Sequence, residues 1–426
     1  MKILVIGGGG REHALILKLK ESRQETEIFV APGNGGISKI AQCVNIAPTD
    51  VAKMTNFAIE KNIDLVIVTP DDPLVMGMVD ALENQGIKAF GPRSVAAVLE
   101  GSKSFAKSFM KRHGIPTAEY QNFTSYGDAK EYIRKQTKYP IVIKADGLAL
   151  GKGVVIAQNE TEALEAIKNM MLDQCFGNSG SQIVIEEFLT GTEISVMAIT
   201  DGKIIRTLTS AMDHKRAFDN DLGLNTGGMG AIAPHPLYTL NLAQECNEKI
   251  FKPTIVGMLE EDRMFKGILY FGLMLTKDGP YVIEYNCRFG DPETQVVLPL
   301  LDGDLLELIL AVCDGQLENV EVKQKPGTAV CVVMASGGYP LAYEKGYIIE
   351  GLEVASLLTD TKIYHAGTTL DETTGNFLTA GGRVLGVTAI GNTLDEAIEK
   401  AYKAVNQITF EKAYYRTDIG KKAGGN

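Results

Sequence analysis

The sequence predicts a multidomain protein of mixed class: an N-terminal α/β domain with a doubly wound parallel sheet, an α+β middle domain and a small mixed α/β domain at the C-terminal end. Three observations support this. The chain has 426 residues, more than one ordinary hydrophobic core holds. Apolar strands alternate with amphipathic helices over the first hundred residues. Glycine-centred hairpins follow from about residue 101, and a polar stretch at 315–327 reads as a linker before a last group of strands.

The first domain is predicted over residues 1–102 from short apolar runs bounded by glycine, proline and charged residues. We expect a helix at about 12–20 and strands at residues 3–6, 27–30, 65–68 and 88–90. Strands and helices that alternate with short connections are typical of a doubly wound parallel sheet.

The middle of the chain has a different pattern, because neighbouring strands there are joined as hairpins. We expect helices at 102–113 and 161–171, and strands at 140–144, 154–157, 183–186 and 194–199. A turn around Lys277-Asp278-Gly279 predicts a hairpin between residues 267–275 and 281–286.

The C-terminal part is expected to contain several strands and one long helix. Two of the strands are predicted at residues 329–334 and 383–390. The helix is predicted at 394–408, because Thr393 and Glu396 form a capping box in front of an apolar-periodic segment.

Composition and charge restrict the class of partner. A net charge of −11 argues against nonspecific binding of nucleic acid, which needs a positive surface. None of the six cysteines forms a C-x-x-C pair or has zinc-finger spacing, so we expect reduced thiols in a cytoplasmic protein. The apolar start is interrupted at Gly7 to Gly10, so we expect no signal peptide, and no run of 18 apolar residues predicts a membrane span.

A run of glycines from Gly7 to Gly10, followed by Arg11 and Glu12, lies between the first strand and the first helix. Glycines there let the backbone approach a phosphate, which the helix N-terminus then favours. A dinucleotide fingerprint has a third glycine where this chain has Glu12, and an acidic residue after the second strand, where this chain has Gly33. A bound sugar phosphate is therefore favoured over NAD or FAD, and a tight turn without a ligand is the other alternative.

The segment from Lys144 to Gly153 resembles a phosphate-binding loop without matching the Walker pattern. Three residues separate Gly147 from Gly151, and Lys152 is followed by glycine and a strand rather than by Ser or Thr and a helix. We expect a mobile lid at 147–153 that closes over phosphates, with Lys144 held beside it by its strand. An ordinary glycine hairpin with exposed lysines is the alternative.

Glu284, Asn286 and Arg288 lie two apart along a predicted strand, so their side chains point to the same face. A carboxylate and an amide oxygen suit Mg²⁺ held jointly with phosphates, and Arg288 could stabilise a phosphoryl or carboxylate group. A charged solvent face is the alternative, which the apolar run before Glu284 argues against. Mn²⁺ accepts the same oxygen ligands, so the sequence leaves the choice of metal open.

A fourth motif combines Asp213, His214, Lys215 and Arg216 with a loop-forming stretch at residues 225–230 that is rich in main-chain donors. A single histidine is more often structural than catalytic, and we favour that interpretation for His214. No histidine lies at a recognised spacing from Ser or Cys, so the sequence predicts no hydrolase triad.

Together these motifs resemble the phosphoribosylamine–glycine ligase (glycinamide ribonucleotide synthetase) family of the ATP-grasp superfamily, over essentially the whole chain. The resemblance implies an ATP-grasp domain at residues 103–318, with a mobile lid subdomain at about 120–190, and a C-terminal domain at 325–426. The stretches that carry it are Gly7 to Ala14, Ala31 to Asn34, Gly101 to Lys103, Asp213 to Arg216, Asn225 to Gly230, Asn286 to Gln295 and Tyr364 to Thr368.

The chemistry implied by the resemblance is an ATP-dependent ligation in purine synthesis. ATP converts glycine to glycyl phosphate, and the amine of 5-phosphoribosylamine then displaces phosphate. The implied cofactors are ATP and Mg²⁺ or Mn²⁺, and the implied partners are glycine and 5-phosphoribosylamine. It also implies no nucleic-acid or membrane partner, and a cytoplasmic monomer with at most transient contacts to neighbouring enzymes of the pathway.

Site residues follow from the resemblance position by position. The main chain at 186–189 would hold adenine, and Glu193 the ribose hydroxyls. The implied nucleotide-binding residues are Lys103, Lys144, Gly151, Lys152, Gly153, Glu186, Glu187, Phe188 and Glu193. The implied catalytic residues are Asp213, Lys215 and Arg288, and the metal ligands are Glu284 and Asn286. The implied substrate-binding residues are Gly9, Gly10, Arg11, Asp71, Asn225, Thr226, Gly227, Asp291, Pro292 and Glu293.

Two departures from the family pattern affect these assignments. The family's Pro-Glu-Ala-Pro-Leu is replaced by Pro-Asp-Asp-Pro-Leu at residues 70–74, so the shorter Asp71 stands near the sugar phosphate. Residues 268–275 carry no carboxylate, which leaves Glu284 and Asn286 as the expected metal ligands. Three other classes stay open: a biotin carboxylase-like enzyme, an NAD-dependent oxidoreductase that rests on the glycine run alone, and a nonenzymatic nucleotide-binding subunit.

Overall fold

The first hundred residues form a five-stranded parallel sheet, as predicted. The structure is a computed structural model that describes residues 1–148 and 153–421. The strands of this sheet are β1 (Lys2–Gly7), β2 (Glu27–Pro32), β3 (Gln42–Cys43), β4 (Leu65–Val68) and β5 (Lys88–Phe90), in the order β3-β2-β1-β4-β5. The helices are α1 (Gly10–Leu19), α2 (Val51–Glu60), α3 (Asp71–Val75), α4 (Met78–Glu83) and α5 (Ser94–Gly101).

Both faces of this sheet are buried, which explains why its strands are continuously apolar. Ile3 and Val5 of β1 pack in one hydrophobic core with α1, whereas Leu4 and Ile6 pack in another with α2. Successive side chains of a strand point to opposite faces, so a strand covered on both sides gives an unbroken apolar run. The edge strand β3 has two exposed residues and no such run, so the sequence did not predict it.

The next segment forms an antiparallel sheet with three helices. The helices are α6 (Lys103–Arg112), α7 (Tyr126–Arg134) and α8 (Glu160–Met171). The strands are β6 (Tyr120–Phe123), β7 (Ile141–Ala145), β8 (Val154–Ala157) and β9 (Ile183–Glu187), in the order β6-β9-β7-β8. Ser102 caps α6 by accepting a hydrogen bond from the Phe105 N–H, which fixes where Lys103 enters the helix.

A second antiparallel sheet follows, and its longest hairpin was predicted. The strands in this part are β10 (Thr192–Thr200), β11 (Ile205–Thr207), β12 (Met212–Asp213), β13 (Arg216–Phe218), β14 (Leu222–Asn225), β15 (Gly230–Ala233), β16 (Gly267–Thr276) and β17 (Gly279–Asn286). The sheet has the order β11-β10-β16-β17, with helices α9 (Leu240–Cys246) and α10 (Lys252–Glu260) packed against it. Thr276 pairs with Gly279, so Lys277 and Asp278 form the turn and Gly279 begins β17.

The stretch at 315–327, which the sequence predicted to be a linker, is tied to the body of the protein. It follows α11 (Thr294–Val297), β18 (Leu301–Asp302) and α12 (Leu305–Asp314), and it contains β19 (Lys323–Gln324). β19 pairs with β18, and the Leu317 side chain is fully buried in the large core beneath the parallel sheet. The polar composition of this stretch therefore reflects exposure at its other positions and not a free connection.

The C-terminal residues build a sheet that also uses strands from the middle of the chain. Its elements are β20 (Thr328–Ser336), α13 (Leu352–Ser356), β21 (Thr361–His365), β22 (Thr368–Leu370), β23 (Phe377–Thr379), β24 (Arg383–Gly391), α14 (Leu394–Val405) and β25 (Ala413–Tyr414). The order β12-β15-β20-β24-β21 shows that strands from residues 212–233 complete this sheet. Thr393 caps α14 as predicted, although the Glu396 carboxylate accepts from the Asn392 N–H instead of the cap residue.

No helix in the described ranges 1–148 and 153–421 is both long and apolar enough to cross a membrane.

Candidate active site

Glu284 and Asn286 lie near the end of β17 on the same face, as their spacing predicted. Four cationic side chains approach the Glu284 carboxylate: Lys215, Lys144, Lys103 and Arg288. Burial would raise the pKa of Glu284, but these four cations hold it below its ordinary value. Glu284 is therefore ionised at neutral pH, as a ligand of a divalent cation must be.

Lys215 connects Glu284 with a second carboxylate. Its Nζ lies 2.9 Å from Oε2 of Glu193 and 3.8 Å from Oε1 of Glu284. The pKa of Lys215 is raised well above its ordinary value, chiefly by Glu193, although burial acts in the opposite direction. These contacts join the start of β10, the end of β17 and the segment after β12, so three of the predicted site residues meet in one cluster.

Lys103 and Lys144 stand on either side of the start of the glycine loop. Lys103 Nζ donates to the carbonyl oxygen of Gly147 at 2.9 Å, and Lys144 Nζ donates to the carbonyl oxygen of Ile283 at 3.2 Å. Burial lowers the pKa of Lys103, although the Glu284 carboxylate opposes that effect. Gly151 and Lys152 lie outside the described residues, and with them most of the predicted lid at 147–153.

Glu186 has a role in the site that its sequence motif did not predict. Its buried carboxylate lies 2.9 Å from Nζ of Lys107 and 3.1 Å from Nζ of Lys144, so it pairs with two buried ammonium groups. Burial lowers the pKa of Lys107 to about 8, although Glu186 opposes this shift. Lys107 was not assigned to the site from the sequence, and the available signal was its position one helical turn after Lys103 on α6.

Glu187 and Phe188, which follow Glu186 in the chain, face outward. The Glu187 carboxylate accepts a hydrogen bond from the Glu119 N–H at 3.0 Å. The Phe188 side chain is exposed, so it is accessible to a ligand stacked against it.

Arg288 is held by residues from two domains. Its guanidinium donates to Oδ1 of Asn286 and to the carbonyl oxygen of Phe289, each at 3.1 Å, and lies 3.5 Å from Oε1 of Glu100. The other oxygen of Glu100 accepts from the Cys287 N–H at 2.6 Å. Burial raises the pKa of Glu100 to about 7, although Arg288 opposes this. Glu100 lies at the end of α5 and was missed in the sequence, where it reads as an ordinary helix residue.

The glycine turn at 7–10 lies next to this cluster. Arg11 Nη1 donates to the carbonyl oxygen of Phe289 at 3.1 Å, the same oxygen that Arg288 contacts. Asp71, the residue that departs from the family pattern, is the first residue of α3 and contributes to the electrostatic environment of both Glu100 and Arg288. The structure thus places Gly9, Gly10 and Arg11 beside the segment that carries Glu284, Asn286 and Arg288.

The loops at 225–230 and 291–293 meet beneath the same cluster. Gly228 has φ +105°, and a Cβ at this position would lie 2.4 Å from Cδ of Pro292 and 2.6 Å from Oδ1 of Asp213. The Thr226 N–H and hydroxyl both donate to the carbonyl oxygen of Lys215 at 2.8 Å. Only glycine allows the two loops to approach this closely.

Arg383, from the C-terminal sheet, holds these loops together and was not predicted. Its guanidinium donates to the carbonyl oxygens of Gly227 and Asp291 and lies 3.3 Å from the Asp291 carboxylate. Burial would raise the pKa of Asp291, but Arg383 and Arg11 hold it below its ordinary value. Glu293 is buried, and its Oε1 accepts from the Tyr270 hydroxyl at 2.9 Å.

Asp213 and Asn225 complete the set of predicted side chains. Asn225 pairs with Arg216 in the β13–β14 hairpin. Oδ1 of Asp213 is buried and has no hydrogen-bond partner among the described residues. Burial, reinforced by Glu293, raises the pKa of Asp213 well above its ordinary value. A buried acceptor without a partner suits a ligand that brings its own donor.

His214 is structural in this arrangement. Its Nδ1 lies 3.3 Å from the carbonyl oxygen of Gly230, and its Nε2 accepts from the Gly420 N–H at 3.2 Å. Because both ring nitrogens are engaged by the main chain, the histidine fixes the path of the chain next to Lys215.

The donor set at β17 fits a divalent metal ion that arrives with another ligand. In the part of the chain that the structure describes, no group of three or more His, Cys, Asp and Glu side chains could hold a metal ion. Glu284 and Asn286 supply two hard oxygens, and Mg²⁺ needs about six ligands. Asn286 keeps a free lone pair while it accepts from Arg288. The remaining positions would be filled by phosphate oxygens and water.

Three family models match the chain in consecutive segments. They describe the N domain of phosphoribosylglycinamide synthetase at residues 1–100, its ATP-grasp (A) domain at 101–294 and its C domain at 329–422. A phosphoribosylamine–glycine ligase of Caldanaerobacter subterraneus is 48% identical over 419 residues, which are 98% of this chain and 99% of that protein.

Two solved structures have a similar fold. The crystal structure of phosphoribosylamine–glycine ligase from Thermotoga maritima has a TM-score of 0.86 at 34% identity, over 98% of this chain and all of that one. A biotin carboxylase from Campylobacter jejuni has a TM-score of 0.76 at 14% identity, over 100% of this chain and 95% of that one, and so shares the fold alone.

Proposed function

Because the chain belongs to the phosphoribosylglycinamide synthetase family, we propose that it is an ATP-dependent ligase that joins glycine to 5-phosphoribosylamine in purine synthesis. The products are N1-(5-phosphoribosyl)glycinamide, ADP and phosphate. One observation of the structure carries this conclusion: Lys103, Lys144, Lys215 and Arg288 converge on the Glu284 carboxylate. A concentration of positive charge around a metal-ligating carboxylate suits the transfer of a phosphoryl group between two anionic oxygens.

The nucleotide would lie between Lys103 and Lys144 on one side and Glu193 on the other. Lys103 and Lys144 contact the phosphates. The main chain at 186–189 receives adenine, with Phe188 exposed beside it. Glu284 and Asn286 would hold Mg²⁺ or Mn²⁺, which would neutralise negative charge on the phosphates.

The first chemical step forms an acyl phosphate. A carboxylate oxygen of glycine attacks the γ-phosphorus, the bond from that phosphorus to the β-γ bridging oxygen breaks, and ADP leaves with the electron pair. Both reacting oxygens are anionic, so correct placement and cationic stabilisation supply most of the catalysis. Arg288 and Lys215 stabilise the transferred group, and Asp213 accepts a hydrogen bond from the glycine amine.

The second step forms the amide. The amine of 5-phosphoribosylamine attacks the carbonyl carbon of glycyl phosphate, phosphate leaves with the electrons of the C–O bond, and the amine loses a proton. The turn shaped by Gly9, together with Gly10 and Arg11, holds the ribosyl phosphate, with Asp71 beside it. The loops that carry Asn225, Thr226 and Gly227, and Asp291, Pro292 and Glu293, close the site around the two reacting groups.

The proposal is tested by ADP release in a mixture of ATP, glycine and freshly made phosphoribosylamine, against the omission of each component. We expect ADP release to need all three components. The glycinamide product, identified by its mass, should appear in an amount equal to the ADP released. ADP release that needs bicarbonate and biotin, and is indifferent to glycine, would establish the biotin carboxylase-like alternative instead. ATP binding without turnover under any of these conditions would establish a nonenzymatic subunit.

The proposal also includes the domain boundaries, the cellular location and the oligomeric state of the enzyme. The domain boundaries are taken as 1–102, 103–318 and 325–426, with a lid subdomain at about 120–190. The enzyme acts as a cytoplasmic monomer, with transient contacts to neighbouring enzymes of the pathway. Small-angle scattering and sedimentation of the purified protein test the oligomeric state, and limited proteolysis tests the boundaries.

A further inference from the structure

Glu12 is a buried carboxylate at the centre of the glycine turn, and the mechanism above does not use it. Its side chain is 1% exposed. Two N–H donors reach it: the Gly9 N–H at 2.5 Å from Oε2 and the Arg11 Nε at 2.5 Å from Oε1. The Thr69 hydroxyl lies 2.6 Å from Oε1 and also contacts the carbonyl oxygen of Ile6, so two acceptors compete for its single proton. These three groups come from the turn after β1, from the first turn of α1 and from the residue after β4, so one carboxylate joins three segments.

The turn is shaped around this carboxylate. A Cβ on Gly7 would lie 2.7 Å from Cδ of Glu12 and 2.8 Å from the Thr69 hydroxyl, and φ of Gly7 is +126°. In a dinucleotide-binding turn the position of Glu12 is a glycine, so that helix and strand can pack closely. Here the carboxylate fills that volume and occupies the Gly9 N–H, which is then no longer available to a phosphate of a dinucleotide.

Arg11 is oriented by the same group. Its Nε is fixed by Glu12, and its Nη1 donates to the carbonyl oxygen of Phe289 at 3.1 Å. A guanidinium held on two edges loses little conformational freedom when it contacts a ligand. The remaining anion donors at this turn are the first N–H groups of α1, which have no partner within a helix, and the free edge of Arg11.

We propose that Glu12 is the positioning residue for recognition of the ribosyl phosphate: it fixes the glycine turn and the Arg11 guanidinium in the geometry that accepts one sugar phosphate and excludes a dinucleotide. This inference rests on the proposed function. Glu12 acts through Gly9 and Arg11 and makes no contact with the reacting atoms, so its effect falls on the affinity for one substrate and not on phosphoryl transfer.

The test is the variant Glu12→Gln in the full-length protein, with Glu25→Gln as a control at an exposed carboxylate of the same domain. Gly9 and Arg11 donate to different oxygens of Glu12, so the NH₂ group of an amide would face one of these two donors. Steady-state constants are measured separately for phosphoribosylamine, glycine and ATP, together with thermal unfolding and NADH binding.

We expect the KM for phosphoribosylamine to rise roughly 10- to 100-fold, the range that hydrogen bonds to charged groups support. The KM values for ATP and glycine, and kcat at saturation, should stay within about twofold of the parent enzyme, and Glu25→Gln should change none of them. An unchanged KM for phosphoribosylamine, or a parallel rise of all three KM values, would overturn the inference.

A second variant tests the inference if Glu12→Gln is unstable, and the parent enzyme tests the proposed function separately. If Glu12→Gln does not fold, Thr69→Val removes the hydroxyl that contacts both Oε1 of Glu12 and the carbonyl oxygen of Ile6, while keeping the volume of the side chain. It should raise the same KM by a smaller factor, and an unchanged KM would again overturn the inference. Lack of glycine- and phosphoribosylamine-dependent turnover in the parent enzyme would instead refute the proposed function, so the two failures are distinguishable.

Discussion

The metal assignment is tested most directly by Glu284→Gln, which keeps the size of the side chain and removes its charge. A metal ion contributes several kcal/mol of charge stabilisation, so we expect turnover to fall by roughly 100-fold or more, with a higher Mg²⁺ requirement. The fold should survive. The Glu284 side chain is 35% exposed, so solvent screens its attraction to the four surrounding cations. Its contact with Lys215 is long at 3.8 Å, and that ion pair is worth less than about 1 kcal/mol. Lys215 keeps its closer partner Glu193 at 2.9 Å.

The measurements are ATP-dependent turnover across a Mg²⁺ titration and thermal unfolding of the same samples. Asn286→Ala should act in the same direction less strongly, because it removes a neutral ligand. Glu260→Gln, at an exposed carboxylate of α10, is the matched control and should change neither quantity. Near-normal turnover of Glu284→Gln at limiting Mg²⁺ would refute the assignment, and loss of the cooperative unfolding transition would show a structural role for Glu284 instead.

Three further predictions concern other parts of the site. Glu186→Gln removes the carboxylate that pairs with the buried ammonium groups of Lys107 and Lys144, so urea unfolding should show a loss of about 3 kcal/mol or more. The exposed neighbour Glu187→Gln should cost under about 1 kcal/mol. Burial lowers the pKa of His13 to about 3, so its contribution to stability is complete above the unfolded pKa of about 6.5 and is lost as the pH falls. The loss of stability by pH 5, read from urea unfolding, should be smaller in His13→Asn than in the parent by about 2 kcal/mol, and the rest of the loss belongs to the other buried histidines. Unphosphorylated ribosylamine should have a kcat/KM at least roughly 100-fold below that of phosphoribosylamine, because the glycine turn recognises the phosphate; comparable values, or tight binding of NADH, would contradict this.

The sequence by itself determined the features that depend on local periodicity. Continuous apolar runs predicted the central strands of the parallel sheet, because a strand buried on both faces cannot alternate. The period of two along β17 placed Glu284 and Asn286 on one face, and a capping pattern marked the start of α14. The two-residue strands of the described chain, β3, β12, β18, β19 and β25, were missed, since two residues carry no periodic signal.

The resemblance to a family also predicted which residues belong to the site, but it did not predict which side chains they contact. Glu186 was assigned through the main chain around it, and the structure shows its side chain between two buried lysines. Because both lysines are buried, their contacts with Glu186 affect the stability of the protein. Exposed lysines of the same spacing would be solvated and would contribute almost nothing.

Only the tertiary structure decided which distant segments meet. Glu100 contacts the main chain of Cys287, which is 187 positions away in the sequence. Arg383, the first residue of β24, contacts Asp291 in the loop after β17. No local pattern marks either residue, because hydrophobic periodicity specifies which face of an element is buried and leaves open which element covers it. The packing of complete sheets makes that choice. Side chains such as Glu100, Arg383 and Glu12 acquire their partners only when several separately predictable elements have come together.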